Sequence, residues 1–397
     1  MNLLSLPDWI NLLQSAMQTL QEGFLQALAA VGLAQTSHGQ PAWPFAHRLS
    51  GDVMQIDHSV ARQLLDALGF SVAAAASLTL ALLWRRGRVS MLSVTVVLLL
   101  CSAWPDPQLL LAPAVPTSFH VSTSAFSAAS IVQGQQRYRQ QCASCHGLDG
   151  KGDTPLGLAL ETSPPNLTGD LLWRRADGEL FWRIAYGMRD GHGAVTMPGL
   201  TQQLSDQDLW SLIDFMKANA AGASVRALGS WEQPVALPDL SSDCGQGTLT
   251  SIRQWQGQRV RVILASKQQP QGFALDDPRL HSVILSKDDL SLPAARAGAP
   301  RIDCLSHSAQ AWQAISIITG IASEQLAGTE LLTDRDGWLR ARKLPEPGKV
   351  SDWSASDILC RAPTDAHHTS GGLDGLIAAM DAEPVRFVRG GVAHTAR

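Results

Sequence analysis

The chain reads as a multidomain fold: a two-helix transmembrane hairpin over residues 64–112, an all-α domain over 127–221 and an α/β domain over 229–397, preceded by an amphipathic segment over 1–63. Three observations predict it. Two long, nearly uncharged runs flank the basic tetrapeptide Arg85-Arg86-Gly87-Arg88. The pentapeptide Cys142-Ala143-Ser144-Cys145-His146 stands between stretches of helical periodicity. Beyond Gly229, short apolar runs alternate with turn residues around an Asp-Gly pair. A length of 397 residues accommodates two water-facing domains beside a membrane hairpin. A net charge of -4 gives no sign of nucleic-acid binding, and a charged fraction of 17%, low for a soluble protein, suits a membrane-attached chain.

The first segment carries an apolar stripe at helical spacing, Ile10, Leu13, Met17, Leu20, Phe24, Leu28 and Val31, with Asn and Gln on the other faces. It is too polar to cross a bilayer comfortably and is expected to lie on the outer membrane surface, to pack against a partner, or to be the remnant of a larger membrane domain. The first basic residue is Arg48. No charged n-region therefore precedes an apolar core, and no conventional signal peptide is expected.

The two apolar runs cover residues 64–84 and 89–104, the second continuing into Leu109, Leu110, Leu111 and Ala112. Each approaches the ~20 residues a spanning helix needs. The basic loop between them is expected to stay cytoplasmic, which puts both ends of the hairpin in the periplasm. Cys101, within the second run, reads as a small residue facing lipid or a neighbouring helix.

Cys142-Ala143-Ser144-Cys145-His146 is a C-x-x-C-H run, the attachment signature of a c-type haem. Two thiols two residues apart on a helical turn can add to the two vinyl groups of one porphyrin, and the following imidazole then lies beneath the iron. A redox dithiol needs no His. A zinc site needs a second ligand pair, which the chain lacks at that spacing. Haem c is attached outside the cytoplasm in bacteria, the side on which the basic loop independently places this motif. The opposite axial position of an electron-transfer haem is commonly a Met. Met216 belongs to the amphipathic run Leu209, Leu212, Ile213, Met216 and reads as core. Met188 closes a helical segment before the charged pair Arg189 and Asp190. Met197 lies in a loop rich in Gly and Pro and is the expected ligand, while His192 in the same loop reads as solvent-facing.

Residues 127–221 resemble a class I cytochrome c. An initial helix, residues 131–138, leads into the haem motif with Gly134 and Tyr138. A terminal helix, residues 204–215, begins at a Ser or Asp cap and carries Phe215. In that family the two helices cross closely and need a residue without a side chain on one and a ring on the other, places that Gly134, Tyr138 and Phe215 fit. The Gly-rich turn from Gly147 to Asp153 and the strap Pro164-Pro165-Asn166-Leu167 complete the likeness. It implies one covalent haem c held by Cys142 and Cys145, with His146 and Met197 as axial ligands. A second resemblance spans the hairpin. Trp43-Pro44-Phe45-Ala46-His47-Arg48-Leu49-Ser50, the two runs, Ala114-Val115-Pro116-Thr117-Ser118-Phe119 and Ser130-Ile131-Val132-Gln133-Gly134 together look like the junction of bacterial copper-resistance D-type membrane proteins fused to a cytochrome c. Those proteins carry several more helices upstream, and neither run here holds a His or Met pair for copper or haem b.

Pro234 and Pro238 mark a linker into the last region. Strands are predicted over 259–266 and 281–286, a buried helix over 311–320, a hairpin over 330–342 centred on Asp336-Gly337, and a final helix over 373–380. The order resembles a thioredoxin-like domain. Such a domain with thiol chemistry carries its paired Cys after the first core strand, where this chain has Ala265-Ser266-Lys267-Gln268-Gln269-Pro270. Exchange by a C-x-x-C pair is therefore excluded. Cys244, Cys304 and Cys360 occur singly, and a structural disulfide between two of them is expected in an oxidising periplasm, with the pairing open. His367-His368 reads as a solvated loop. The region is expected to dock a partner or serve structure.

The whole reads as a membrane-anchored, periplasmic monohaem cytochrome of the bacterial inner membrane. It would carry electrons between a dehydrogenase or quinol-linked donor and an oxidase or another cytochrome, rather than act as a catalyst in its own right. The alternative is a copper-handling or metalloprotein-assembly factor with an accessory haem, although no clear copper site is visible.

Overall fold

The computed structural model describes residues 6–173, 175–244, 249–267, 277–290, 303–345, 353–360, 372–387 and 393–394. The chain divides into two compact units, Met1–Pro116 and Thr117–Arg397.

The first unit opens with helix α1 (Leu6–Ala30). Its buried face is Ile10, Gln14, Gln18, Gln21 and Leu25, whereas Leu20, Phe24 and Val31 of the expected stripe are exposed. Ile10, Leu13 and Met17 of the stripe do pack into this unit's core, and loop backbone explains why the Gln residues join them. Gln14 Nε2 donates to the Gly51 carbonyl at 3.1 Å, and Gln21 accepts from Leu49 N at 2.7 Å while donating to its carbonyl at 2.9 Å. The amides satisfy a loop that would otherwise bury orphan groups. Strand β1 (His47–Leu49) pairs antiparallel with β2 (Leu111–Pro113). Between them run α2 (His58–Leu83) and α3 (Arg88–Cys101), joined by bonds from Ser77 Oγ to the Met91 carbonyl and from Ser102 Oγ to the Ala67 carbonyl.

Among the described residues one helix, α2, is long and apolar enough to cross a membrane. The second apolar run differs from expectation. Helix α3 has 14 residues, about 21 Å at 1.5 Å per residue against a hydrocarbon core of about 30 Å. Pro105 bars a longer helix, because it has no N–H for the Cys101 carbonyl and its ring crowds that group. Both helices present exposed apolar side chains, among them Val72, Leu82 and Leu100.

In the second unit, α4 (Ala128–Gln141), α5 (Asp177–Tyr186) and α6 (Asp206–Leu228) form the helical part. Ser127 and Ser205 each begin a reciprocal capping box, with Ser130 and Asp208 as partners, a device worth about 1 kcal/mol per helix. Two short strands, β3 (Met188–Arg189) and β4 (Val195–Met197), form an antiparallel ladder between α5 and α6. A mixed sheet follows, built from β5 (Ser241–Asp243), β6 (Leu249–Ser251), β7 (Arg259–Leu264), β8 (Leu280–Ser286), β9 (Cys304–His307), β10 (Glu330–Thr333) and β11 (Leu339–Lys343). Among the described residues its order is β11-β10-β7-β8-β9-β5-β6. The central strands β7, β8 and β9 are parallel and the flanking pairs antiparallel. Helices α7 (Ala309–Thr319) and α8 (Gly372–Ala382) complete the unit. The predicted β7, β8, α7, hairpin and α8 are present, while β5, β6 and β9 are additional.

Two of the packed cores of this unit meet at α6. One gathers Tyr138, Phe181, Leu209, Leu212, Ile213 and Phe215. The other joins Ile131, Ala218, Ala221 and Val225 of the helices to strand residues such as Val262 and Val283, and to Trp312 and Ile318 of α7. Helix α6 is therefore common to both. A Cβ on Gly222 would lie 1.9 Å from the Ile317 carbonyl oxygen, so α6 and α7 touch through their backbones. Residues after Gly229 continue this packing, with Trp231 fully buried and its Nε1 donating to the Ile318 carbonyl at 3.1 Å.

Candidate functional site

Helix α4 delivers Cys142 as its C-terminal cap, and Ala143–His146 form one further helical turn. The Cys142 carbonyl accepts from Cys145 N at 3.2 Å and from His146 N at 2.9 Å. This three-residue helical offset puts both thiols on one face. Both are free. Burial pushes the Cys142 thiol up to about 12, and the neighbouring Cys145 adds to the effect. A redox dithiol needs the opposite shift, toward a ready thiolate.

The turn is held by a compact loop. Gly147 takes φ 76° as the chain leaves the helix, and Gly152 N closes back on the His146 carbonyl at 2.9 Å. Thr154 Oγ1 donates to the Ser144 and Cys145 carbonyls, at 2.8 and 3.0 Å, and caps the next short helix. The strap is bound to the same loop, since Leu167 N donates to the Gly150 carbonyl at 2.8 Å. A Cβ on Gly152 would lie 2.5 Å from the Pro164 carbonyl oxygen. Asn219 Nδ2 of α6 adds a bond to the Asp149 carbonyl at 3.0 Å. Thr154 and Asn219 escaped sequence reasoning; a Thr before Pro155 is the only cap signal that pointed to the first.

His146 is half-buried, and its Nδ1 is buried without a hydrogen bond. Burial lowers its pKa, and the backbone at Pro165 exerts a smaller pull upward. The ring is thus held neutral, the form in which imidazole ligates a metal.

Met197 ends β4, opposite Met188 in β3. It is half-buried against the core of Tyr138, Phe181 and Phe215, as are Cys142 and Leu167. The following residues are fastened to the end of α5: Leu200 N donates to the Ile184 and Ala185 carbonyls, at 3.1 and 3.0 Å. A Cβ on Gly187, whose φ is +75°, would lie 2.3 Å from the Met197 carbonyl oxygen. Met188 is exposed, and Met216 is buried in α6. His192 is exposed in the β3–β4 connection, where Asp190 Oδ1 accepts from its backbone N at 2.8 Å.

These residues fit a covalent haem. Two free thiols share a helical face, a neutral imidazole keeps an orphan nitrogen, and a half-buried thioether packs on the same apolar core as Cys142. Elsewhere, Cys244 and Cys304 form the disulfide whose pairing the sequence left open, and Cys360 is a buried free thiol. Among the described residues no group of three or more His, Cys, Asp or Glu side chains is placed to hold a metal ion. His367 and His368 lie outside the described residues.

Residues 129–216 match the family described as "Cytochrome C oxidase, cbb3-type, subunit III". Over 92 residues the chain is 33% identical to the Cbb3-type cytochrome c oxidase subunit FixP of Rhizobium meliloti (strain 1021). That match covers 23% of this chain and 28% of FixP, so the chain spans less than a third of this curated relative. A chain of the Kuenenia stuttgartiensis reducing HAO-like protein complex Kustc0457/Kustc0458 aligns over 32% of this chain and 59% of its own, at 18% identity with a TM-score of 0.22. Such a score carries no common fold. Local geometry and family match agree that residues 129–216 form a cytochrome c domain, and that its cofactor is one covalently bound haem c.

Proposed function

We propose that the protein is a membrane-anchored, periplasmic monohaem cytochrome passing electrons between a dehydrogenase or quinol-linked donor and an oxidase or another cytochrome. The observation that carries this is the placement of Cys142, Cys145 and His146 on one helical turn, with Met197 fastened to the same core. In this reading Cys142 and Cys145 would hold the haem as thioethers, and His146 and Met197 would ligate its iron. When bound, the haem would supply reversible one-electron chemistry. The chain's part is to hold both ligands still. The Gly147–Thr154 loop fixes His146, and the Gly187 and Gly199 approaches fix the Met197 segment.

The oxidase assignment draws on the family match of residues 129–216 and on the likeness to FixP. The domain limits 127–221 and 229–397, and the anchor over 64–112, belong to the same proposal. Helix α2 supports the anchor by length and apolarity. The parallel strands β7 and β8 followed by the antiparallel β10–β11 hairpin support a thioredoxin-like C-terminal region. No specific observation favours the copper-handling alternative.

Membranes containing the protein test the reading. On adding a respiratory substrate without oxygen the haem c absorption should become that of the reduced state, and air should reverse it. A haem that stays oxidised with every donor, or reduced in air, would overturn it.

A further inference from the structure

The geometry points to a thiol–disulfide exchange site at Cys244–Cys304, taking a dithiol as its substrate. The two half-cystines form part of the wall of a cavity of about 310 Å³, which they share with Trp255, His281, Asp303 and Thr250. The bridge is unevenly covered: Cys244 is half-buried at the end of β5, whereas Cys304 is 1% exposed within β9. An incoming thiolate therefore reaches the Cys244 sulfur. His281 Nδ1 lies 3.5 Å from Asp303 Oδ2, and its ring stacks on Trp255 with centroids 5.1 Å apart. The imidazole lies beside a carboxylate and flat against an indole, at the cavity that the bridge lines. Thr250 Oγ1 lies 3.6 Å from the Cys244 sulfur.

The chemistry balances with a dithiol alone. His281 takes the proton of the first substrate thiol, and the resulting thiolate attacks Cys244 Sγ. The Cys244–Cys304 bond breaks, a mixed disulfide forms on Cys244, and Cys304 leaves as a thiolate that receives the proton from His281. The second substrate thiol then attacks the substrate sulfur of the mixed disulfide, the substrate disulfide forms, and Cys244 leaves and takes up the proton that this thiol gives up. Two electrons and two protons pass from the dithiol to the bridge, and the reverse sequence reduces a substrate disulfide. Reactivity here depends on access and on the proton-handling neighbour, not on C-x-x-C spacing.

The test uses the full-length haem-loaded protein in detergent. Glutathione, followed by acid quenching and peptide mass spectrometry, should give an adduct on Cys244 in about tenfold or greater excess over Cys304. His281→Ala should slow reduction by dithiothreitol by about tenfold or more while leaving the thermal midpoint and haem spectrum unchanged, and added imidazole should restore the rate. Equal adducts on both cysteines would overturn the proposal. So would a bridge that opens only as fast as the protein unfolds across a denaturant series, a measurement that needs no variant.

Discussion

A Cβ built on Gly134 of α4 would lie 1.9 Å from the Ser211 carbonyl oxygen of α6. The two helices meet backbone to backbone at this point. One turn further along, Tyr138 and Phe215 place their ring centroids 5.1 Å apart. The crossing sets the direction in which α4 ends, and hence where the Cys142 turn begins.

Gly134→Ala should consequently be destabilising by about 3 kcal/mol or more, since the added methyl meets backbone and not a side chain that can turn away. Gly23→Ala in α1, where a Cβ would meet nothing within 4 Å, should instead be neutral or stabilising by about 0.5–1 kcal/mol, the helix propensity difference. Urea unfolding of each variant compares them, and a neutral Gly134→Ala would refute the close crossing.

Met197→Ala should abolish the weak sulfur-to-iron absorption of the oxidised protein, lower the reduction potential and let carbon monoxide bind. Met216→Leu should leave the spectrum unchanged, because a volume-conserving swap in the α6 core costs less than about 1.5 kcal/mol. Met188→Leu should do the same, its side chain being exposed. His192→Ala is the control for bis-His ligation. A six-coordinate, low-spin spectrum that survives Met197→Ala but not His192→Ala would reassign the ligand.

Asp214 is buried in α6, and burial raises its carboxyl to about 6 against hydrogen bonds from Ser124 Oγ at 2.5 Å and Ser130 Oγ at 2.6 Å. A carboxyl whose folded pKa exceeds its unfolded one gives stability that is full below the unfolded value and lost as pH rises through the folded value. The loss should amount to roughly 3 kcal/mol between about pH 4 and about pH 7. Asp214→Asn should flatten the difference, so subtracting the two urea-derived stability curves across that interval isolates this one group. Parallel curves would show that Asp214 ionises as freely in the folded protein as in the unfolded chain.

Haem-stained gels of membrane fractions should retain the cofactor after denaturation, and Cys142→Ala with Cys145→Ala should remove it. A phosphatase reporter fused after Arg88 should be inactive, the expected result if the basic loop stays in the cytoplasm. Activity there, or haem staining confined to the soluble fraction, would invert the topology or dismiss the anchor.

The haem motif was legible because its chemistry is local: Cys142, Cys145 and His146 lie on one turn, and no distant residue is needed to recognise them. The same holds for β7, β8, α7 and the β10–β11 hairpin, whose period, branched side chains and Asp336-Gly337 turn are short-range signals. Tertiary structure decided the rest. That Gln14 and Gln21 are buried on α1 beside Ile10 depended on the backbone at Gly51 and Leu49, far along the chain. Cys304, and not Cys360, bonds Cys244 because β9 and β5 become neighbours in the sheet. The second half of α6 joins the sheet's core because Gly222 allows Ile317 to approach its backbone. Each outcome is set by which surfaces meet after folding, and a sequence pattern encodes the surfaces but not the meeting.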